Sequence, residues 1–367
     1  MHADYVEKGH NCHLETYRRV FKTQNIGFGE PASDQCSTCL DFDSHKSAIT
    51  GDHDENMCEI CRQQEIHLNK VKVARDLYTS DMQNDHVYSV DMQKVIIIPK
   101  LTTKEHVFVS RLVCFNETFA GSKSVKAEYA VLWHEGISGR KASDVASSYV
   151  KFLTTSEEDK PILWADNCSG QNKNWTLYTA LVQVVNAEWG PSEITIKYLE
   201  AGHTYMGADS VHGNVGKKMK QHAEIITFND LSTLIDGAAK TYKVVRMSVD
   251  DFYKFSAENR LRNRKKEPIP LLCDIAEVKF VKGSKCMYIK KDLELDEYET
   301  VDFLKPRFKY LIIPDKHTTE RGISQKKKDG ILNTLSHVPA PKRKFYMDLR
   351  VNNSAEDLLT RAPTPLV

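Results

Sequence analysis

The chain has 367 residues, enough for two or three domains, and 41% of them are hydrophobic, enough for a sizeable core. Its 51 basic and 50 acidic residues cancel, so net charge does not mark it as a nucleic-acid binder, and any such function must come from local clusters. No run of about 18 apolar residues predicts a membrane span, and the opening MHADYVEKGHNCHLE has no apolar signal core. The expected setting is nuclear or cytoplasmic, where the nine cysteines act as thiols or metal ligands rather than disulfides.

Residues 1–80 read as an N-terminal zinc module followed by a linker helix. CSTC supplies Cys36 and Cys39, and CEIC supplies Cys58 and Cys61, with 18 residues between the pairs. Two such pairs can complete a tetrahedral Zn²⁺ site. The intervening stretch is too polar to form a core, so a metal is needed to order it. His45, His53 and His67 are each able to replace a cysteine as ligand. ICRQQEIHLNKVKVARDLYTSDM then reads as a helix, with Ile66, Val73 and Leu77 roughly on one face.

Residues 81–235 read as a mixed α/β domain in the order β-β-β-α-β-α-β. HVYSVDMQKVIIIPK is the first strand, HVFVSRLVCFNETFA the second and AEYAVLWHEG the third. GRKASDVASSYVKFLTTS is a helix with an apolar stripe through Val145, Tyr149 and Leu153. PILWAD is the fourth strand, NWTLYTALVQVVNAEWG the second helix and EITIKYLEAG the fifth strand. Strands joined by short turns suggest an antiparallel meander, and strands reached through helices suggest parallel additions beside the first. The apolar VIIIP run suits a central position for that strand. Gly213 and Gly216 are poor helix formers and predict that the segment after the fifth strand is a loop.

This order resembles the ribonuclease H-like fold of nucleases, integrases and DDE transposases. That resemblance implies carboxylates on the first strand, after the fourth and after the fifth, jointly holding Mg²⁺ or Mn²⁺. The positions that match are Asp91, Asp166 and Asp209, with His203 beside the third. Asn167, Gln171, Asn172 and Lys173 follow Asp166 in a loop at a helix N-terminus, where phosphate can approach. They are candidate DNA contacts, as are Lys217 and Lys218, with Lys220 close behind. Glu135 and Asp144 are weaker candidates for a fourth acid. Taken singly, Asp166 is an ordinary helix cap, Asp91 a solvent-facing strand residue and His203 a hydrogen-bonded structural histidine. Only their joint placement points to catalysis.

DNCSGQNKN followed by GHTYMGADSVHG also resembles the motif pair of a transposon-associated domain of unknown function. The upstream cysteines, the Asp91–Pro99 strand, Trp133–Glu135 and the stretch GISQKKKDGILNTLSHVPAPKRKFY extend that likeness over roughly residues 30–350. The resemblance implies a transposase-derived protein that cleaves or transfers DNA strands by two-metal catalysis. The alternative is a domesticated or decayed relative that binds DNA or protein without cleaving. DNA is the expected partner, no membrane is, and the reading leaves homo-oligomerisation open.

Residues 236–367 read as a β-rich and helical region. ENRLRNRKKEPIP is a basic linker, residues 273–304 a hairpin unit around KGSK, and GISQKKKDGILNTLSHVP a helix starting near Ser324. PAPKRKFY reads as a basic tail with aromatics, and the last residues as an untied end.

Overall fold

A computed structural model describes residues 9, 12–13, 15–16, 20, 36–49, 53–55, 57–103, 109–125, 127–258, 261, 269–306, 308 and 311–359. Most of the ENRLRNRKKEPIP linker and the last eight residues of the chain lie outside them. The chain divides into two compact units, residues 1–64 and 65–367. No helix among the described residues is long and apolar enough to cross a membrane.

In the first unit, α1 spans Ser37–Ala48 and buries none of its own residues. The helix α2, Glu59–Asp81, begins there and continues into the second unit.

The second unit is a mixed sheet covered on both faces. Its strands are β1 Val87–Met92, β2 Ile96–Ile98, β3 Leu112–Gly121, β4 Glu128–His134, β5 Ile162–Ala165, β6 Glu193–Tyr198, β7 Tyr242–Arg246, β8 Glu277–Val281, β9 Met287–Lys290 and β10 Glu299–Val301. The helices are α3 Ala142–Ser156, α4 Trp175–Val185, α5 Gly207–Gln221, α6 Phe228–Asp236, α7 Gln325–Thr334 and α8 Ala340–Asp348. The strand order is β10-β9-β8-β6-β5-β1-β3-β4-β7, with β2 pairing β3 off this path.

The sequence dictates much of this. β1 is central, antiparallel to β3 and parallel to β5. Its residues are buried at every position but Asp91, as an alternating strand covered on both faces requires. The turn after Met92 breaks the apolar run, so Ile96–Ile98 forms a separate short strand on β3. The crossovers through α3 and α4 make β5 and β6 parallel to β1. Residues 277–301, read from the sequence as a hairpin unit of its own, extend this same sheet, because β8 pairs antiparallel with β6.

The two faces carry separate cores. On one, Phe119, Trp133, Tyr149, Phe152 and Leu181 pack α3 and α4 onto the sheet. The Phe119 and Phe152 rings stack at 4.0 Å, 1° from parallel. On the other, Trp164, Val211, Val215, Leu231, Ile331 and Tyr346 pack α5 to α8. Each fully buried side chain of this size contributes roughly 1.5–3 kcal/mol.

Two segments differ from the sequence expectation. The stretch after β6 is helical despite Gly213 and Gly216, because Val211 and Val215 are buried at i and i+4 and outweigh a weak propensity. PAPKRKFY, read as a tail, forms most of α8. Tyr346 is fully buried there and donates its hydroxyl hydrogen to the Ile226 carbonyl at 2.5 Å.

Candidate functional site

The register of β1 on β5 builds the acidic site. Val90 pairs with Ala165, so Asp91, the next residue of β1, and Asp166, the first residue past β5, stand side by side. Parallel strands place such residues at the carboxyl edge of a sheet, where open α/β sheets hold ligands. Across β1 on the other side, Asp91 pairs with Thr118 and Met92 with Glu117 of β3.

The helix α5 brings the third group. Its N-terminus is pinned to the sheet: Ala208 N–H donates to Ser89 Oγ at 3.0 Å and Gly207 N–H to the Tyr78 hydroxyl at 2.8 Å. A Cβ on residue 207 would lie 2.9 Å from Ser89 Oγ, so only glycine permits this approach. Asp209 accepts from Met206 N–H at 2.8 Å and so caps the helix with one oxygen. His212, three residues on, shares its face. Asp91, Asp209 and His212 each offer an atom, and these lie within 4.8 Å of one another.

The electrostatics are strained. His212 Nδ1 is 3.7 Å from Asp91 Oδ2, and its Nε2 is 3.0 Å from Thr118 Oγ1. Burial pulls the His212 imidazole down to about 4, against a hydrogen bond with the Asp91 backbone, so it is neutral near pH 7. Asp166 Oδ1 accepts from Asn172 Nδ2 at 2.7 Å and from Cys168 N–H at 3.1 Å. Burial raises its carboxyl, those bonds lower it, and the charge of Asp209 raises it again. Glu117 is fully buried, and among the described residues neither carboxylate oxygen has a hydrogen-bond partner. Burial, then Asp91, then Asp166 push its carboxyl well above the ordinary value.

Glu117 therefore keeps its proton in the folded chain after the unfolded chain has lost it. Stability from this group is present at low pH and declines as pH rises above the unfolded value of 4.5 toward the raised folded one. Glu117→Gln cannot titrate, so in chelator-treated buffer it should gain on the parent as pH rises through that window, by at most ~1.4 kcal/mol per pH unit. Melting curves between about pH 5 and 8 measure this, and parallel curves for the two proteins would show that Glu117 is ionised throughout.

Other predicted residues lie elsewhere. His203 pairs with His67, with Nε2 atoms 3.2 Å apart, and its carbonyl accepts from Arg75; His212 stands in the acidic group instead. Asn172 is fully buried, accepts from the Tyr149 hydroxyl at 2.9 Å, and holds Asp166. Lys173 is 5% exposed, donates to Asn167 Oδ1 at 2.6 Å and lies over the Tyr198 ring. Burial takes its amine down to about 8. Asn167 also donates to the Leu199 carbonyl. Asn172 and Lys173 thus shape the loop from inside rather than face solvent. Gln171 and Lys218 are half-buried, while Lys217 and Lys220 are exposed on α5. Glu135 is ion-paired to Lys327 at 2.5 Å, and Asp144 accepts from Lys141 N–H and Ser138 Oγ to cap α3.

A family described as a domain of unknown function, DUF7869, matches residues 151–277. No curated protein and no solved structure matches the chain. The DUF7869 match contains Asp166, Asp209 and His212 but stops short of Asp91 and Glu117. Sequence reasoning passed over Glu117 and His212. Glu117 sits in the otherwise apolar LVCFNETFAG strand, where a lone carboxylate is costly. His212 follows Asp209 at helical spacing, a signal that the glycines obscured.

In the first unit, His45, His53, Cys58 and Cys61 offer ligand atoms within 4.8 Å of one another, a group that could hold a metal such as zinc. Cys36 and Cys39, expected to share that ion, lie at the start of α1, where Cys39 Sγ accepts from Gln64 at 3.6 Å.

Proposed function

We propose that the chain is a transposase-derived enzyme of ribonuclease H-like architecture that acts on DNA phosphodiesters with divalent metal. The carrying observation is the convergence of Asp91, Asp209 and His212 within 4.8 Å, beside Asp166 and a buried Glu117 with no hydrogen-bond partner among the described residues. The order β4-β3-β1-β5-β6 supports this reading. It puts an antiparallel meander on one side of the first strand and two parallel strands on the other. The acids stand on β1, just after β5, and in the first turn of the helix after β6.

The donor set fits a hard divalent cation. Carboxylate oxygens suit Mg²⁺ and Mn²⁺, and the imidazole of His212 adds a ligand type that suits transition metals more than Mg²⁺. Among the described residues, no lysine or arginine forms an ion pair with Glu117, Asp166 or Asp209, so a cation would relieve real repulsion. Such metal supplies Lewis-acid stabilisation of the phosphoryl group and a nucleophile at neutral pH. The chain's own part is to fix the ligands. Asn172 and Cys168 N–H orient Asp166, the Met206 N–H orients Asp209, and Thr118 orients His212. The exposure of Lys217 and Lys220 on α5 is compatible with contact to backbone phosphates.

Thermal melting with and without Mg²⁺ and Mn²⁺, alongside cleavage of labelled DNA by the full chain, tests the reading. Both metals should raise the melting temperature, Mn²⁺ the more, and cleavage should require one of them. A chain that is neither stabilised by metal nor able to cleave, yet binds DNA, would be a relative that has kept binding and lost catalysis.

A further inference from the structure

The first unit holds a second metal chemistry, distinct from the acidic site. α1 buries nothing of its own, so hydrophobic packing does not hold this helix in place. What surrounds its C-terminal half is chemically specific. His45 comes from α1, His53 from the following loop, Cys58 from the residue before α2, and Cys61 from its first turn.

The distances resemble the edges of a coordination tetrahedron. His53 Nε2 is 3.2 Å from Cys61 Sγ, and His45 Nε2 is 3.2 Å from Cys58 Sγ and 3.8 Å from Cys61 Sγ. Zinc bonds of about 2.3 Å to sulfur and about 2.0 Å to nitrogen imply an N···S edge of roughly 3.5 Å. The three distances bracket that value. Both histidines turn the same atom, Nε2, toward the thiols, and their rings meet edge to face with centroids 5.2 Å apart. A plain thiol pair needs neither.

We infer that His45, His53, Cys58 and Cys61 bind one zinc ion as a complete tetrahedral site, and that this ion fastens α1 to the first turn of α2. The ligand set is therefore two imidazoles and two thiolates, rather than the four cysteines the spacing suggested. Helix geometry gives the reason. Cys36 precedes α1 and His45 lies nine residues on, about 13 Å along the axis. One ion cannot use both ends of that helix.

Zinc content of the full chain, measured after purification, tests this. Cys58→Ser, Cys61→Ser, His45→Ala and His53→Ala should each lower it by one ion per chain. The double variant Cys58→Ser/His45→Ala should lose that same one ion and no more. His45→Cys should keep the ion, and with Co²⁺ in place of zinc its thiolate charge-transfer absorption should increase by one thiolate. Retention of this absorption separates lost ligation from a failed fold. If His45→Ala and His53→Ala both keep the parent's full zinc, or if His45→Cys leaves the absorption unchanged, the assignment is overturned.

Discussion

Changing Asp166 to Asn should leave the fold and DNA affinity in place while lowering metal-dependent cleavage by about three orders of magnitude. The amide keeps an oxygen for the Cys168 N–H and the Asn172 Nδ2, so the loop geometry survives. On the proposed function, what would be lost is a charge among the carboxylates that would hold the cation, and with it several kcal/mol of metal-borne stabilisation at the reacting phosphate. Asp91→Asn should behave alike, and the double variant should lose little more than either alone, because the ligands act as a unit. DNA binding followed by fluorescence anisotropy should persist in all three, since it rests on lysine and arginine contacts with phosphate. If Asp166→Asn cleaves like the parent, its carboxylate serves only to receive the loop's hydrogen bonds.

The largest stability effect is expected far from that site. Lys327, 3% exposed at its side chain, contacts Glu135 at 2.5 Å and Asp357 at 2.7 Å. Glu135 is 1% exposed, accepts from Val113 N–H at 2.8 Å, and has Arg321 3.7 Å away. Lys327→Met removes the near cation and leaves a carboxylate in the core. The cost should be about 3–5 kcal/mol, read as a lower urea midpoint. Adding Glu135→Gln should recover a substantial part, since the neutral amide still accepts from Val113. A single Lys327→Met that unfolds at the parental urea concentration would show that water reaches Glu135.

The layers of the fold were legible because their signals are local. The β-rich stretch of β1, the stripe of α3 and the crossover lengths each state a strand, a helix or a parallel pairing by themselves, whereas the apolar VIIIP run, expected in the central strand, forms the short β2 that pairs with β3. That Asp91 and Asp166 stand side by side was legible from the order of the strands, not from either acid taken singly. Glu117 and His212 were not, because what distinguishes them is who faces them across β1 and beneath α5. Asn172 and Lys173 looked like surface contacts, since polar side chains usually are; their burial depends on Tyr149, Tyr198 and Asp166 closing over them. The Cys/His group of the first unit, which could hold a metal such as zinc, shows the same limit. Cysteine spacing announced a metal, but the length of α1 decided which cysteines and histidines can meet.

The central place of β1 bears on what a match to residues 151–277 stands for. Residues 151–277, the stretch that DUF7869 matches, supply β5 and β6 but neither β1 nor β3. Cut out alone, that stretch would present the backbone edge of β5 to solvent, an open invitation to aggregate. A chain lacking everything before residue 151 would keep the whole matched stretch and yet lack Asp91, Glu117 and the strands β1 to β4. Of the group Asp91, Asp209 and His212, the matched stretch therefore carries two members and leaves the third on a strand outside it.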